Sequence, residues 1–78
     1  MRRFRGMMER QETPESAAIR EIGYDRRTRR LEVKFASGER YAYRQVAPKV
    51  SRAFVEAESK GRFFQSRIRD RYPYERLG

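Results

Sequence analysis

The sequence predicts an α+β domain in which a three-stranded antiparallel meander packs against two short C-terminal helices. Apolar residues alternate with polar ones in three runs between residues 17 and 46. Only short loops separate those runs, so consecutive strands should pair as hairpins. From Pro48 onward the apolar spacing changes from two residues to three and four, the period of a helix with one buried face.

The predicted first strand covers Ala17–Tyr24. Ala18, Ile22 and Tyr24 share one alternation and Ile19 falls outside it, so a bulge near Arg20–Glu21 is needed to bring Ile19 and Ile22 to the same side. The loop Asp25-Arg26-Arg27-Thr28-Arg29-Arg30 carries four arginines and must project into solvent. Leu31, Val33 and Phe35 alternate with Glu32 and Lys34 in the second strand, Arg30–Ala36, the pattern of a sheet with one dry and one wet face. Ser37-Gly38 supplies a turn. The third strand, Glu39–Val46, places Tyr41 and Tyr43 on one face and Arg40, Ala42 and Arg44 on the other.

Pro48 suits the first turn of a helix, and Val50, Ala53, Phe54 and Ala57 form its apolar stripe. Ser59-Lys60-Gly61 breaks it, with Gly61 able to end one helix in the left-handed conformation and Ser59 able to cap the next. Phe64, Ile68 and Tyr72 recur every fourth residue, predicting a second helix that stops before Pro73. The resulting plan is a flexible leader of mixed charge over residues 1–15, a domain over 16–74 and a tail over 75–78. Within the leader, Arg2, Arg3 and Arg5 form a basic arm, and a short helix over Met7–Glu12 is expected.

With 78 residues, the chain is one domain with a thin core, burying only about 60% of the surface its unfolded form exposes. Five tyrosines and five phenylalanines must supply much of that core. Cysteine and histidine are absent. Disulfides and thiolate metal sites are therefore excluded, and so are the commonest general base and the commonest zinc ligand. No apolar run approaches the roughly 20 residues of a membrane span, and the N-terminus lacks the apolar core of a secretory signal. A cytoplasmic location is the expectation. The formal charge is +9, from 20 basic against 11 acidic residues. Lysine occurs only at Lys34, Lys49 and Lys60, so the charge is chiefly guanidinium, which suits phosphate and carboxylate partners.

Ser16, Ile19, Ile22-Gly23-Tyr24-Asp25, Leu31-Glu32-Val33-Lys34-Phe35, Gly38, Tyr41-Ala42-Tyr43, Val46 with Pro48, Ala57-Glu58-Ser59-Lys60-Gly61, Phe64, Ile68-Arg69 and Tyr72, in this order and spacing, resemble the KTSC domain family over about Ser16 to Tyr74. Two positions depart from the family pattern: Ala47 opens the usual Val-Pro pair, and Gln65 stands where asparagine is usual. The resemblance implies a small module that occurs free-standing and at the C-terminus of some lysyl-tRNA synthetases, acting near RNA through that context. It transfers no catalytic residues.

Three groups of residues are candidates for binding. Arg26, Arg27, Arg29 and Arg30 form the strand-connecting loop. Lys60 and Arg62 flank a helix start that offers backbone amides to an anion. Arg67, Arg69 and Arg71 stud the last helix, with Arg67 and Arg71 sharing a face. Tyr74, beside Tyr72 and Pro73, is the best candidate for stacking on a base, because the alternation assigns Tyr41 and Tyr43 to the core. Glu21, Asp25, Glu56 and Glu58 sit among arginines, which favour their ionised form and make an acid–base pair a poor expectation. Ser16 and Ser59 have no histidine to activate them. The expectation is a noncatalytic binding module without cofactor or metal, docking on nucleic acid, RNA above DNA. The competing expectation is a protein-interaction module that covers an acidic surface, or adds a strand at the sheet edge, homo-oligomerisation included.

Overall fold

The computed structural model describes residues 8–78. The basic arm Arg2, Arg3 and Arg5 lies outside the described residues. Five strands, β1 (Met8–Glu12), β2 (Ile19–Asp25), β3 (Arg30–Phe35), β4 (Arg40–Tyr43) and β5 (Tyr74–Arg76), form one sheet in the order β1-β2-β3-β4-β5, antiparallel throughout. Between β4 and β5 come α1 (Pro48–Glu56), α2 (Lys60–Phe63) and a π-helical turn (Phe64–Ile68) that continues α2 without a break. The α+β class, the meander and the two short helices match the expectation; the number of strands, five rather than three, does not.

Both additional strands come from segments read as a leader and a tail. Met8–Glu12 is a strand and not a helix: it pairs residue for residue with β2, from Met8 opposite Asp25 to Glu12 opposite Glu21. Thr13 closes the hairpin. It is buried, its amide donates to the Arg20 carbonyl at 2.9 Å, and its hydroxyl donates to the Ile19 carbonyl. At the other edge Tyr74, Glu75 and Arg76 pair with Tyr43, Ala42 and Tyr41. Mutual backbone bonds of Arg40 with Leu77 and Gly78 extend this ladder, so residues 75–78 are held against β4.

The expected bulge is present. Ile19 lies opposite Phe35 but Glu21 lies opposite Lys34, so Arg20 is the extra residue, and Ile19 and Ile22 are both buried. In the β3–β4 connection the Gly38 amide donates to the Phe35 carbonyl at 2.8 Å and Gly38 takes φ 98°, a conformation that glycine adopts without strain.

The core joins Ile22, Tyr24, Leu31, Val33 and Tyr43 of the sheet to Phe54, Phe64 and Ile68 of the helices, with Ile19 and Val46 at its ends. Burying each large apolar side chain contributes about 1.5–3 kcal/mol. Helix α1 begins at Pro48 without a side-chain cap. Helix α2 is capped by Ser59, whose hydroxyl accepts from the Arg62 amide at 3.3 Å. Gly61 does not terminate α1. It lies inside α2, where a Cβ would make an ordinary 3.5 Å contact with that of Ala18.

The second helix also ends earlier than its apolar period suggests. The Arg69 amide donates to the Phe64 carbonyl at 2.8 Å, the five-residue closure of a π-turn. Arg69 is then extended, and Asp70 takes φ 64°. Tyr72 packs against the core from outside the helix. The consecutive phenylalanines face different partners. Phe63 stacks on Phe54 of α1 (5.4 Å between centroids, 14° between planes), whereas Phe64 meets Phe35 and Tyr43 of the sheet edge-on at 5.1 and 5.7 Å.

Candidate nucleic-acid interface

On the sheet face away from the helices, charge is largely cancelled internally. Glu32 projects from the central strand β3, its side chain only 13% exposed; it accepts hydrogen bonds from Arg30 at 3.0 Å and Arg10 at 3.4 Å and forms an ion pair with Arg40 at 3.6 Å. Arg10 also reaches Glu21 at 3.2 Å. Gly23 leaves room for this crossing; a Cβ there would stand 3.2 Å from the Arg10 Nη1. Arg30, expected to face an anionic partner with the rest of its loop, is instead half-buried and bound to Glu32.

The helical side is different. Arg26, Arg27 and Arg29 are exposed at the tip of the β2–β3 turn. The turn is shaped by the Asp25 carboxylate, which accepts from the Arg27 amide at 2.9 Å, and by Arg29 in the left-handed region at φ 59°. The Arg29 carbonyl accepts from the Val46 amide at 3.0 Å and docks the turn beside the start of α1. Arg26 and Arg52 line one groove along α1. Lys49, Arg67 and Arg71 line another, floored by Val50, Phe63 and Tyr72. Arg67 lies over the Phe63 ring, 5.7 Å from its centroid. Arg67 and Arg71 share this groove as the sequence suggests, although Arg71 lies beyond the helix. Arg62 is exposed on α2. No ion pair among the described residues engages these seven groups on or beside the helices and the turn: Arg26, Arg27, Arg29, Lys49, Arg52, Arg67 and Arg71.

Lys60 belongs elsewhere. It is 8% exposed, its ammonium donates to the Ala57 carbonyl at 2.8 Å, and it pairs with Glu15 at 3.0 Å. Its role is to tie the α1–α2 corner to the chain that leads into β2, and its charge faces inward rather than toward a phosphate. A backbone hydrogen bond and then the Lys60 ammonium hold the Glu15 carboxyl below its ordinary range. Arg69 is separated from Arg67 and Arg71. Its guanidinium donates to Gln65 at 3.0 Å and lines a third groove with Asp70, Tyr41 and Tyr74. Tyr74 is the most exposed of the large apolar side chains among the described residues, at 55%. Tyr43 behind it is buried, and desolvation raises its phenol to about 12. Lys49 and Arg52, which sequence reasoning left out, fall one helical turn apart on α1. Their spacing from Pro48 is the signal that would have placed them next to the loop.

The match to known proteins covers the same elements. The KTSC domain matches residues 15–72. A protein of Stutzerimonas stutzeri is 41% identical over 64 residues, covering 81% of this chain and 90% of that protein. A lysine–tRNA ligase of Nostoc punctiforme is 34% identical over 64 residues, 82% of this chain but 11% of the ligase. The crystal structure of a KTSC domain protein from Yersinia pestis aligns with a TM-score of 0.85 at 37% identity, covering 91% of this chain and 99% of that one. That domain is a small module rather than a known catalytic domain. From β2 to the end of the helices, sequence and topology agree, and the chain belongs to the KTSC domain family.

Proposed function

We propose that this protein is a noncatalytic module that binds RNA through its phosphate backbone. The contact surface is the band formed by the β2–β3 turn (Arg26, Arg27, Arg29), the first turns of α1 (Lys49, Arg52), and Arg62, Arg67 and Arg71. The observation that carries this reading is the division of the arginines: Arg10, Arg30 and Arg40 on the open sheet face are held by Glu32 and Glu21, whereas those around α1 are exposed without carboxylate partners among the described residues. Guanidinium groups held in this way release counterions from a polyanion at little cost in lost internal pairs. The relative that bears the name lysine–tRNA ligase carries a homologous segment as 11% of its length, which supports RNA over DNA.

Anisotropy titrations with labelled tRNA and with single-stranded RNA test the reading. Affinity should fall steeply between about 50 and 200 mM salt, and each lost phosphate contact should flatten the logarithmic slope by about 0.7 on a single strand. Arg67→Glu with Arg71→Glu, and Arg26→Glu with Arg27→Glu, should each weaken binding, and Arg10→Ala on the opposite face should not. Absence of RNA binding at about 50 mM salt overturns the proposal.

An acidic protein would meet the same band. Strand addition is a weaker alternative, because β1 presents Glu9, Arg10, Gln11 and Glu12 at one edge and β5 is three residues long at the other; short, charged edges discourage pairing. Purification with and without nuclease separates the two readings: an RNA partner is lost on digestion and a stoichiometric protein partner is retained.

A further inference from the structure

We propose that the groove between β4–β5 and the end of the π-turn, about 470 Å³ in volume, seats one unpaired nucleobase and prefers guanine. The inference rests on the RNA-binding reading for its occupant, and it adds a base-reading subsite to a surface that otherwise meets only phosphates.

The groove combines a stacking platform with the Arg69 guanidinium and two carboxylates, of which Glu39 is paired with Arg76 and Asp70 is not paired among the described residues. Tyr74 is exposed, and its ring packs against Tyr43 at 5.6 Å and Tyr41 at 5.9 Å, which line the same groove. Its backbone is paired to Tyr43 in the sheet. A ring held by its neighbours and still more than half exposed loses little freedom when a base stacks on it. At the rim, Gln65 holds the Arg69 guanidinium in place, where it can meet the phosphate next to a stacked base. Asp70 lines the same groove and is held there by the left-handed residue conformation that ends the helix. No ion pair or side-chain hydrogen bond among the described residues engages its carboxylate.

A carboxylate repels phosphate, so Asp70 is misplaced in a surface built for backbone contact alone. It is well placed to accept hydrogen bonds. Guanine offers two adjacent donors, N1–H and the N2 amino group, which match the two oxygens of one carboxylate. Cytosine and adenine offer an amino group without the second donor. Uracil presents a single N3–H between two carbonyl oxygens, and these face the carboxylate unfavourably.

The test uses free 5′-monophosphates of guanosine, adenosine, cytidine and uridine titrated into the isotopically labelled full chain, with backbone amide shifts as the readout. Guanosine monophosphate should shift the amides of Gln65, Arg69, Asp70 and Tyr74, and uridine monophosphate should bind about tenfold more weakly, the order by which a bidentate pair discriminates. Tyr74→Ala should weaken the guanine nucleotide about tenfold, within the range of base–aromatic stacking, while Tyr74→Phe retains binding. Asp70→Asn should abolish the preference for guanine without abolishing stacking. Equal binding of all four nucleotides, or a guanine preference that survives Asp70→Asn in a chain with unchanged amide dispersion, overturns the proposal. The two readings fail separately: salt-sensitive RNA binding with no nucleotide shifts in the groove removes the base subsite alone, and groove shifts without RNA binding at about 50 mM salt remove the phosphate band alone.

Discussion

Lys60 and Tyr43 show how burial reassigns residues whose chemistry looks functional. Lysine in a Ser-Lys-Gly-Arg run at a helix start invites an anion, but the Lys60 ammonium already has a carbonyl and a carboxylate as partners. Removing one member of an ion pair is costly when the other charge stays buried, but the Glu15 side chain is 56% exposed and water can take the place of the ammonium. Lys60→Met should therefore leave RNA affinity within about twofold in the same titration in which charge reversal at Arg67 and Arg71 lowers it; a loss as large as theirs would return Lys60 to the interface. Tyr43 carries a pH consequence. Desolvation is the largest cause of its raised pKa, followed by the neighbouring phenols Tyr41 and Tyr74. The native state therefore keeps its proton after the unfolded chain has lost it. The resulting stabilisation is complete below pH 10.0, the ordinary value, and disappears as pH rises to about 12. Denaturant melts should show stability falling across that window, and Tyr43→Phe should remove Tyr43's share of the fall.

At the scale of elements, a buried Thr13 hydroxyl closes the hairpin that pairs β1 with β2. Thr13→Val keeps the shape of the side chain but leaves the Ile19 carbonyl without its donor, which costs about 1–3 kcal/mol. Urea denaturation should show that loss, and amide exchange should quicken first across Met8–Glu12; unchanged protection there would mean that pairing with β2 alone holds the strand. The strands β2, β3 and β4 were legible because each buries alternate residues, Ile22 and Tyr24, Leu31 and Val33, then Tyr43, and burial imposes the period. The strand β1 was not legible. Glu9, Arg10, Gln11 and Glu12 are all exposed, and the strand is held by its backbone and by ion pairs that carry no period. The three exposed residues of β5 gave no pattern either. Tyr72 imitated a helical position because it packs against the core, but the Asp70 kink carries it there. The arginine loop was visible as composition; the pairing of Arg30 and the alignment of Lys49 and Arg52 with the loop depend on tertiary contacts.

For the whole molecule, net charge and its distribution make different predictions. A charge of +9 on this chain sets the strength of attraction to any polyanion and its decline with salt. Its distribution follows from Glu32. Removing that carboxylate by Glu32→Gln should free Arg30 and Arg40, leave Arg10 to Glu21, and make the open face attractive to RNA. Sedimentation of saturated complexes should then reveal two RNA strands per protein where the natural chain holds one; unchanged stoichiometry would mean that the face is neutralised by something other than Glu32.

The Glu32 hub has a consequence for how such a molecule behaves in a crowd. Polycations that are adhesive all round cross-link nucleic acids into turbid droplets or precipitates. A particle with one sticky hemisphere and one electrically quiet one terminates such networks instead of propagating them. At matched charge, mixtures with long RNA should stay clear, and light scattering should find coated strands, each guanidinium-bearing side turned inward and each muted sheet turned to the solvent.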